Sequence, residues 1–211
     1  MITITILSLS FLAAVSCKIK KIKAPVDVLR LLWYLHLVLL FFSAVCLLLL
    51  VNGYGFKGAY TERVFFSLYA GTGVILYGLT PRNITGKWLY LLCFFGFPFV
   101  LLFGLLLPPL RILTIMACVA LLYDGNLTRY PIDNDYALQT REQGILSRYP
   151  TYSLVTDKYW LFEKITPGVI HQPYWPQSLQ MNIMSRDSVR VSLQGFNGRK
   201  MRLDTTICLG E

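Results

Sequence analysis

The chain has 211 residues, of which 55% are hydrophobic and 15% are charged, and its mean hydropathy is +0.53. Soluble domains have about 45–50% apolar and about 25% charged residues, so this composition indicates a protein embedded in lipid. The net charge of +9 divides into +8 before residue 124 and +1 from there onward. Because the basic excess flanks hydrophobic segments rather than a soluble face, we exclude nucleic acid as a partner and expect the lipid bilayer instead.

Residues 1–123 predict an all-α transmembrane bundle of four or five helices. Five hydrophobic segments, named A to E, cover about residues 1–17, 28–51, 64–79, 88–107 and 110–123. A helix needs roughly 20 apolar residues to cross the hydrocarbon core of a bilayer. Segments B, C and D are therefore expected to cross, whereas segments A and E leave alternatives open.

Segment A is followed by four lysines, Lys18, Lys20, Lys21 and Lys23. A cleaved signal peptide carries its positive charges before the apolar region, and here they come after it. The run from Ala14 to Cys17 loosely resembles a bacterial lipobox, although alanine replaces the leucine of that motif. We favour a third interpretation, a short transmembrane helix with its N-terminus outside, because about 17 residues is the lower limit for crossing.

Segment E decides on which side of the membrane the C-terminal domain lies. It has only fourteen residues and follows Pro108 and Pro109, so it fits a short crossing helix, an interfacial helix or a re-entrant one. If all five segments cross, the positive-inside rule predicts a cytoplasmic C-terminal domain, and we expect a bacterial inner membrane. If segment E is re-entrant, the C-terminal domain lies outside.

Residues 124–211 predict a small soluble domain that is α+β or mainly β. Asp133 or Asn134 is expected to cap a short helix that ends near Ser147. Strand-like runs follow at Thr151–Phe162 and Leu179–Met184.

The clearest local signal in this domain is a β-hairpin over about residues 188–208. Apolar and polar residues alternate on both sides of a Gly/Asn turn at residues 195–198, which predicts two strands with one buried face. The residues on the predicted inner face are Val189, Val191, Leu193, Met201, Leu203, Thr205 and Ile207.

The two histidines are the candidate binding residues, together with Trp175. His36 lies inside segment B, where an ionisable side chain is costly to bury. His171 and Trp175 lie in a loop rich in proline and aromatic residues, which suits either recognition or packing. The lysines at positions 18, 20, 21 and 23 could bind anionic lipid head groups, although we favour a plain topology signal.

The sequence offers little that could carry catalysis. Its five cysteines form no CxxC pair and no Cys/His cluster with metal spacing, and the phosphate-binding and nucleophile motifs are missing. Segments B to E also lack an acid near their centres, which argues against a coupled transporter. We therefore expect no catalytic residues, no metal site and no cofactor.

These observations favour a non-catalytic integral membrane subunit or assembly factor of a larger membrane complex. Its partners would be other membrane subunits or further copies of the same chain. The alternative is a ligand-responsive membrane effector or sensor, in which the soluble domain controls the transmembrane bundle.

Overall fold

The computed structural model describes residues 2–22, 24–58, 60–81, 83–122, 127–133, 135–141, 151–157, 160–170, 176–185, 188–196 and 200–209. The chain divides into two compact units. The helical unit contains Met1–Leu50 and Tyr60–Tyr123, and the β unit contains Val51–Ala59 and Asp124–Glu211. The connection at residues 51–59, assigned to the transmembrane part from the sequence, therefore belongs to the β unit.

The part of the helical unit that the structure describes forms five helices: α1 (Ile2–Ile19), α2 (Val26–Val51), α3 (Thr61–Leu79), α4 (Thr85–Leu106) and α5 (Arg111–Leu122). Within the described residues, three of them, α1, α2 and α4, are long and apolar enough to cross a membrane. This count is lower than the four or five expected. Helix α5 has 12 residues, which cover about 18 Å of a core about 30 Å thick. Helix α3 is long enough but carries Glu62, Arg63 and several small or polar residues, which lower its hydropathy.

Helices α1 and α3 pack closely because small residues face each other along both. A Cβ atom on Gly71 would lie 2.6 Å from Ser10 Oγ, and one on Gly78 would lie 2.7 Å from the Cα atom of Ala14. Glycine removes this steric barrier and lets helix backbones approach in a membrane. Because later residues of α1 meet later residues of α3, the two helices run in the same direction.

Helix α2 buries one narrow stripe of its surface. The buried residues are His36, Leu39, Ser43 and Cys46, spaced three, four and three apart, so they lie on one helix face. Apart from Asp27 and Arg30 near its start, the rest of α2 is apolar and largely exposed, as expected for a helix surrounded by lipid.

The described residues of the β unit form eight strands in two antiparallel sheets. The strands are β1 (Tyr54–Phe56), β2 (Leu127–Pro131), β3 (Tyr136–Arg141), β4 (Thr151–Asp157), β5 (Phe162–Ile170), β6 (Pro176–Ser185), β7 (Ser188–Phe196) and β8 (Lys200–Cys208). The first sheet has the order β1-β5-β4-β3-β2 and the second has the order β6-β7-β8. One apolar core joins residues of both sheets, among them Leu138, Tyr152, Val191 and Leu193.

The predicted hairpin is confirmed. Strands β7 and β8 pair antiparallel, with Val189 opposite Ile207 and Leu193 opposite Leu203. Val189, Val191 and Leu193 are all fully buried, as their alternation predicts. Residues 197–199 of the predicted turn lie outside the described residues.

The helix predicted from Asp133 or Asn134 to Ser147 is wrong for its first part. Tyr136–Arg141 forms strand β3, which pairs with β2 on one side and with β4 on the other. Leu138 is fully buried in the core between the sheets, so long-range pairing and burial decide this segment rather than its local capping signal. Residues 142–150 lie outside the described residues.

Strand β1 was not expected from the sequence. It lies in the short connection between α2 and α3 and pairs with β5, with Tyr54 opposite Lys164 and Phe56 opposite Phe162. Further backbone hydrogen bonds extend this pairing on both sides, from Ile165 N–H to the Gly53 oxygen (2.9 Å) and from Lys57 N–H to the Leu161 oxygen (3.0 Å). The C-terminal domain therefore incorporates a segment from the middle of the transmembrane sequence.

Candidate functional site

His36 is a fully buried ionisable side chain of the helical unit. Its Nδ1 atom lies 2.9 Å from Thr72 Oγ1 on α3, and its Nε2 atom lies 2.9 Å from Tyr90 Oη on α4. One side chain of α2 thus links three helices through hydrogen bonds. The histidine was singled out from the sequence, whereas its two partners were not.

The surrounding hydrogen bonds fix the tautomer of His36. The Thr72 hydroxyl donates to the backbone oxygen of Tyr69 at 2.9 Å, so its oxygen accepts the proton of His36 Nδ1. His36 Nε2 then accepts from the Tyr90 hydroxyl, whose oxygen lies 2.6 Å from Tyr69 Oη. Both ring nitrogens of a neutral imidazole are satisfied in this way.

Aromatic rings enclose the imidazole. Tyr69 stacks on it with centroids 4.7 Å apart, while Phe94 and Trp33 meet it edge-on at 5.4 and 5.9 Å. The Nζ atom of Lys87 lies 5.0 Å from the Trp33 ring centroid. The imidazole thus has its hydrogen bonds satisfied inside apolar surroundings, and these bonds join three helices. An arrangement of this kind stabilises the packing of the helices against one another.

Lys18, in the last turn of α1, lies at the end of the helical unit that also contains Lys87. Lys18 Nζ lies 4.8 Å from the ring centroid of Tyr77 near the end of α3. Lys20 and Lys21 are exposed, and Lys23 lies outside the described residues. The predicted binding of these lysines to lipid head groups stays a prediction.

His171 and Trp175 both lie outside the described residues, so their prediction as binding residues has no structural counterpart. In the parts of the chain that the structure does describe, no group of three or more His, Cys, Asp or Glu side chains is arranged to hold a metal ion.

A second polar cluster lies in the β unit. The Arg129 guanidinium donates two hydrogen bonds to the Glu163 carboxylate, at 2.9 and 2.5 Å, and its Nε–H donates to Gln139 Oε1 at 3.0 Å. Only 2% of Glu163 is exposed. The cluster connects β2, β3 and β5 across one sheet. Nothing in the sequence marks it, because each of its members resembles an ordinary surface residue of a soluble domain.

The helical unit also contains a cavity of about 610 Å³ that the sequence did not indicate. Side chains from α1, α3, α4 and α5 line it, and Tyr69 and Phe94 connect it to the surroundings of His36. The lining residues come from four segments with no common spacing, so periodicity alone gives no signal for the cavity.

Comparison with known proteins finds no family model that matches the chain, and no similar curated protein or solved structure.

Proposed function

We propose that the protein is a non-catalytic membrane subunit or assembly factor, with four transmembrane helices as its anchor and the β unit as its partner-binding part. The pairing of strand β1 with β5 is the observation that carries this proposal, because it limits the number of helices that can cross the membrane between them. His36 adds support, since both of its ring nitrogens are bonded within the bundle and neither is left for a substrate.

Strand β1 limits how many helices cross after α2. Because β1 pairs with β5, the α2–α3 connection and the C-terminal strands must lie on the same side of the membrane. An even number of crossings therefore separates Tyr54–Phe56 from Phe162–Ile170. Helix α4 has the length and hydropathy to cross, so one of α3 and α5 crosses with it and the other does not.

Helix α3 is the better choice for this fourth crossing. It has 19 residues and runs parallel to α1, with Ser67 hydrogen-bonded to Thr3 and Gly78 against Ala14. Helix α5 spans only about 18 Å, which is too short for the core. In this topology α1, α2, α3 and α4 cross, and α5 does not.

The charges of the connections then favour a non-cytoplasmic β unit. The connections after α1 and α3, with the first residues of the helices that follow, contain six basic residues, namely Lys20, Lys21, Lys23, Arg30, Arg82 and Lys87. The α2–α3 and α4–α5 connections, counted in the same way, contain Lys57, Arg63 and Arg111. The positive-inside rule assigns the more basic side to the cytoplasm. We therefore propose the alternative in which segment E does not cross and the C-terminal domain lies outside.

Cysteine labelling tests this topology. Cys208 is exposed on β8, so a variant that retains it as its sole cysteine is expected to react with a membrane-impermeant maleimide in intact cells. A matched variant with its only cysteine at position 20 should react only after the membrane is permeabilised, because the connection after α1 is cytoplasmic in this topology. The opposite pattern would refute the orientation, and labelling of both from the same side would refute the crossing number.

The β unit carries exposed apolar side chains suited to a protein partner. Trp160 is 89% exposed, and its neighbour Leu161 is also exposed, both in the turn between β4 and β5. Exposed tryptophan is costly in water, and tryptophan is the residue type most enriched among energetically dominant interface residues. We assign this turn to partner binding.

Purification in mild detergent at native abundance tests the assignment. We expect a partner protein to elute with the chain in fixed ratio. Trp160→Ala should reduce its recovery by about tenfold or more, because such interface residues contribute about 2 kcal/mol or more. Thr206→Ala, at an exposed position on β8, serves as the matched control. A lone monomer without any co-eluting protein would contradict the proposal and favour the ligand-responsive effector.

A further inference from the structure

The cavity in the helical unit has a polar end and an apolar body. Its volume of about 610 Å³ lies within the range of about 300–1,000 Å³ typical of ligand sites. Apolar side chains from three helices form most of its wall. They include Leu7 and Phe11 on α1, Phe66 and Ala70 on α3, and Phe97 and Leu101 on α4.

The polar end lies where α1 and α3 begin. Thr3 and Arg63 belong to the first turns of these helices, and Ser67 donates a hydrogen bond to Thr3 at 3.2 Å. Since α1 and α3 run in the same direction, their first turns lie at one end of the helical unit. All three residues line the cavity.

The length of the cavity matches one leaflet of a bilayer. Along α3 its lining extends from Arg63 to Val74. Eleven steps of a helix cover about 16 Å, and half of the hydrocarbon core is about 15 Å. A chain that enters beside Arg63 therefore reaches the middle of the membrane at the far end of the cavity.

We propose that this cavity binds one acyl chain of an anionic glycerophospholipid, with the phosphate of the lipid at Arg63. The guanidinium group pairs with phosphate in a bidentate manner, and the apolar wall accepts the chain. The lipid comes from the leaflet at which α1 and α3 begin. The site lies wholly within the helical unit. It rests on the proposed crossing of α3, but it depends neither on the side of the membrane that the β unit occupies nor on a protein partner.

The deeper wall does not suit a ligand with a buried polar group. The hydroxyl of Tyr69 is engaged with Tyr90 at 2.6 Å, and the Cys93 thiol donates to the Leu89 oxygen at 3.5 Å. A polar ring inserted to this depth would lose its hydrogen bonds with water without gaining others from these groups. An acyl chain loses nothing by entering, since it leaves equally apolar surroundings.

Photo-crosslinking of the full chain in phosphatidylcholine vesicles tests the proposal. The vesicles contain a trace of phosphatidylglycerol or of phosphatidylcholine with a diazirine near the end of one acyl chain. We expect crosslinks on the cavity residues of α1 and α4, about fivefold stronger with phosphatidylglycerol, because both lipids offer a phosphate but the choline of phosphatidylcholine cancels its charge. Arg63→Gln should lower the phosphatidylglycerol signal to that of phosphatidylcholine, and Arg63→Lys should retain part of the difference.

A second pair of variants tests the cavity itself. Ala70→Phe places a ring in the cavity and should abolish these crosslinks with both lipids. The matched control is Val100→Phe, on a face of α4 where the side chain is 66% exposed, and it should leave them unchanged. Equal crosslinking by both lipids, or crosslinks that persist in Ala70→Phe, would overturn the proposal. If Arg63→Gln does not elute as a folded protein, the lysine and phenylalanine variants still decide the question.

Discussion

Replacement of Glu163 by alanine is expected to lower the free energy of unfolding of the β unit by about 3–5 kcal/mol. The substitution leaves the Arg129 guanidinium partly buried without the carboxylate that accepts two of its hydrogen bonds. A domain of this size has a total stability of about 5–15 kcal/mol, so much of it would be lost. Hydrogen exchange of β4 in the full chain, followed during denaturation, measures the effect within the β unit.

Two further variants separate this cause from a general loss of charge. Lys57 and Asp157 form an ion pair in the same unit, but the lysine is 54% exposed. Asp157→Asn should therefore change stability by about 1 kcal/mol or less. The double variant Arg129→Met with Glu163→Leu should restore most of the stability, because neither charge remains buried. If Glu163→Ala behaves like Asp157→Asn, the buried pair does not contribute as we infer.

Some of the fold was predictable because its signals are local. Hydropathy is a property of each segment. From it α2 and α4 were expected to cross and crossing was favoured for α1, whereas α3, which was also expected to cross, is not among the helices apolar enough to do so. The alternation around Val191 likewise predicted the hairpin of β7 and β8 with the correct buried face.

The features that the sequence did not reveal depend on distant partners. Tyr54–Phe56 is a strand because β5 lies beside it, more than a hundred residues later in the chain. Strand β3 resembled a helix until its neighbours on both sides were known. Local propensity is too weak to decide such cases against burial and pairing.

The candidate site around His36 was likewise predictable only where its signal is local. His36 stood out because an ionisable group inside a membrane segment requires compensation. Its partners, Thr72 and Tyr90, are 36 and 54 residues away and belong to residue types that are common in membrane helices. Arg129 and Glu163 gave no signal at all, since only their burial distinguishes them from surface charges.

Replacement of Gly78 by alanine is expected to destabilise the helical unit by about 1–3 kcal/mol. The added Cβ atom would lie 2.7 Å from the Cα atom and 2.9 Å from the carbonyl oxygen of Ala14. Both are backbone atoms, so no change of side-chain rotamer relieves the clash and α1 must move away from α3. Thermal unfolding of the purified chain in detergent, with hydrogen exchange of α1 and α3, measures the loss.

Gly96→Ala on α4 is the matched control, because an added Cβ atom there meets nothing within 4 Å. Alanine favours a helix over glycine by about 1 kcal/mol, so this variant should be as stable as the original or more so. From the sequence alone, both glycines are isolated small residues in apolar segments, and one outcome would be expected for both. Opposite effects would show that α1 is an integral part of the bundle at the level of Gly78, as the four-crossing topology requires. Equal effects of the two substitutions on stability would contradict the close parallel packing of α1 and α3. The main reason to choose α3 over α5 as the fourth crossing helix would then be lost.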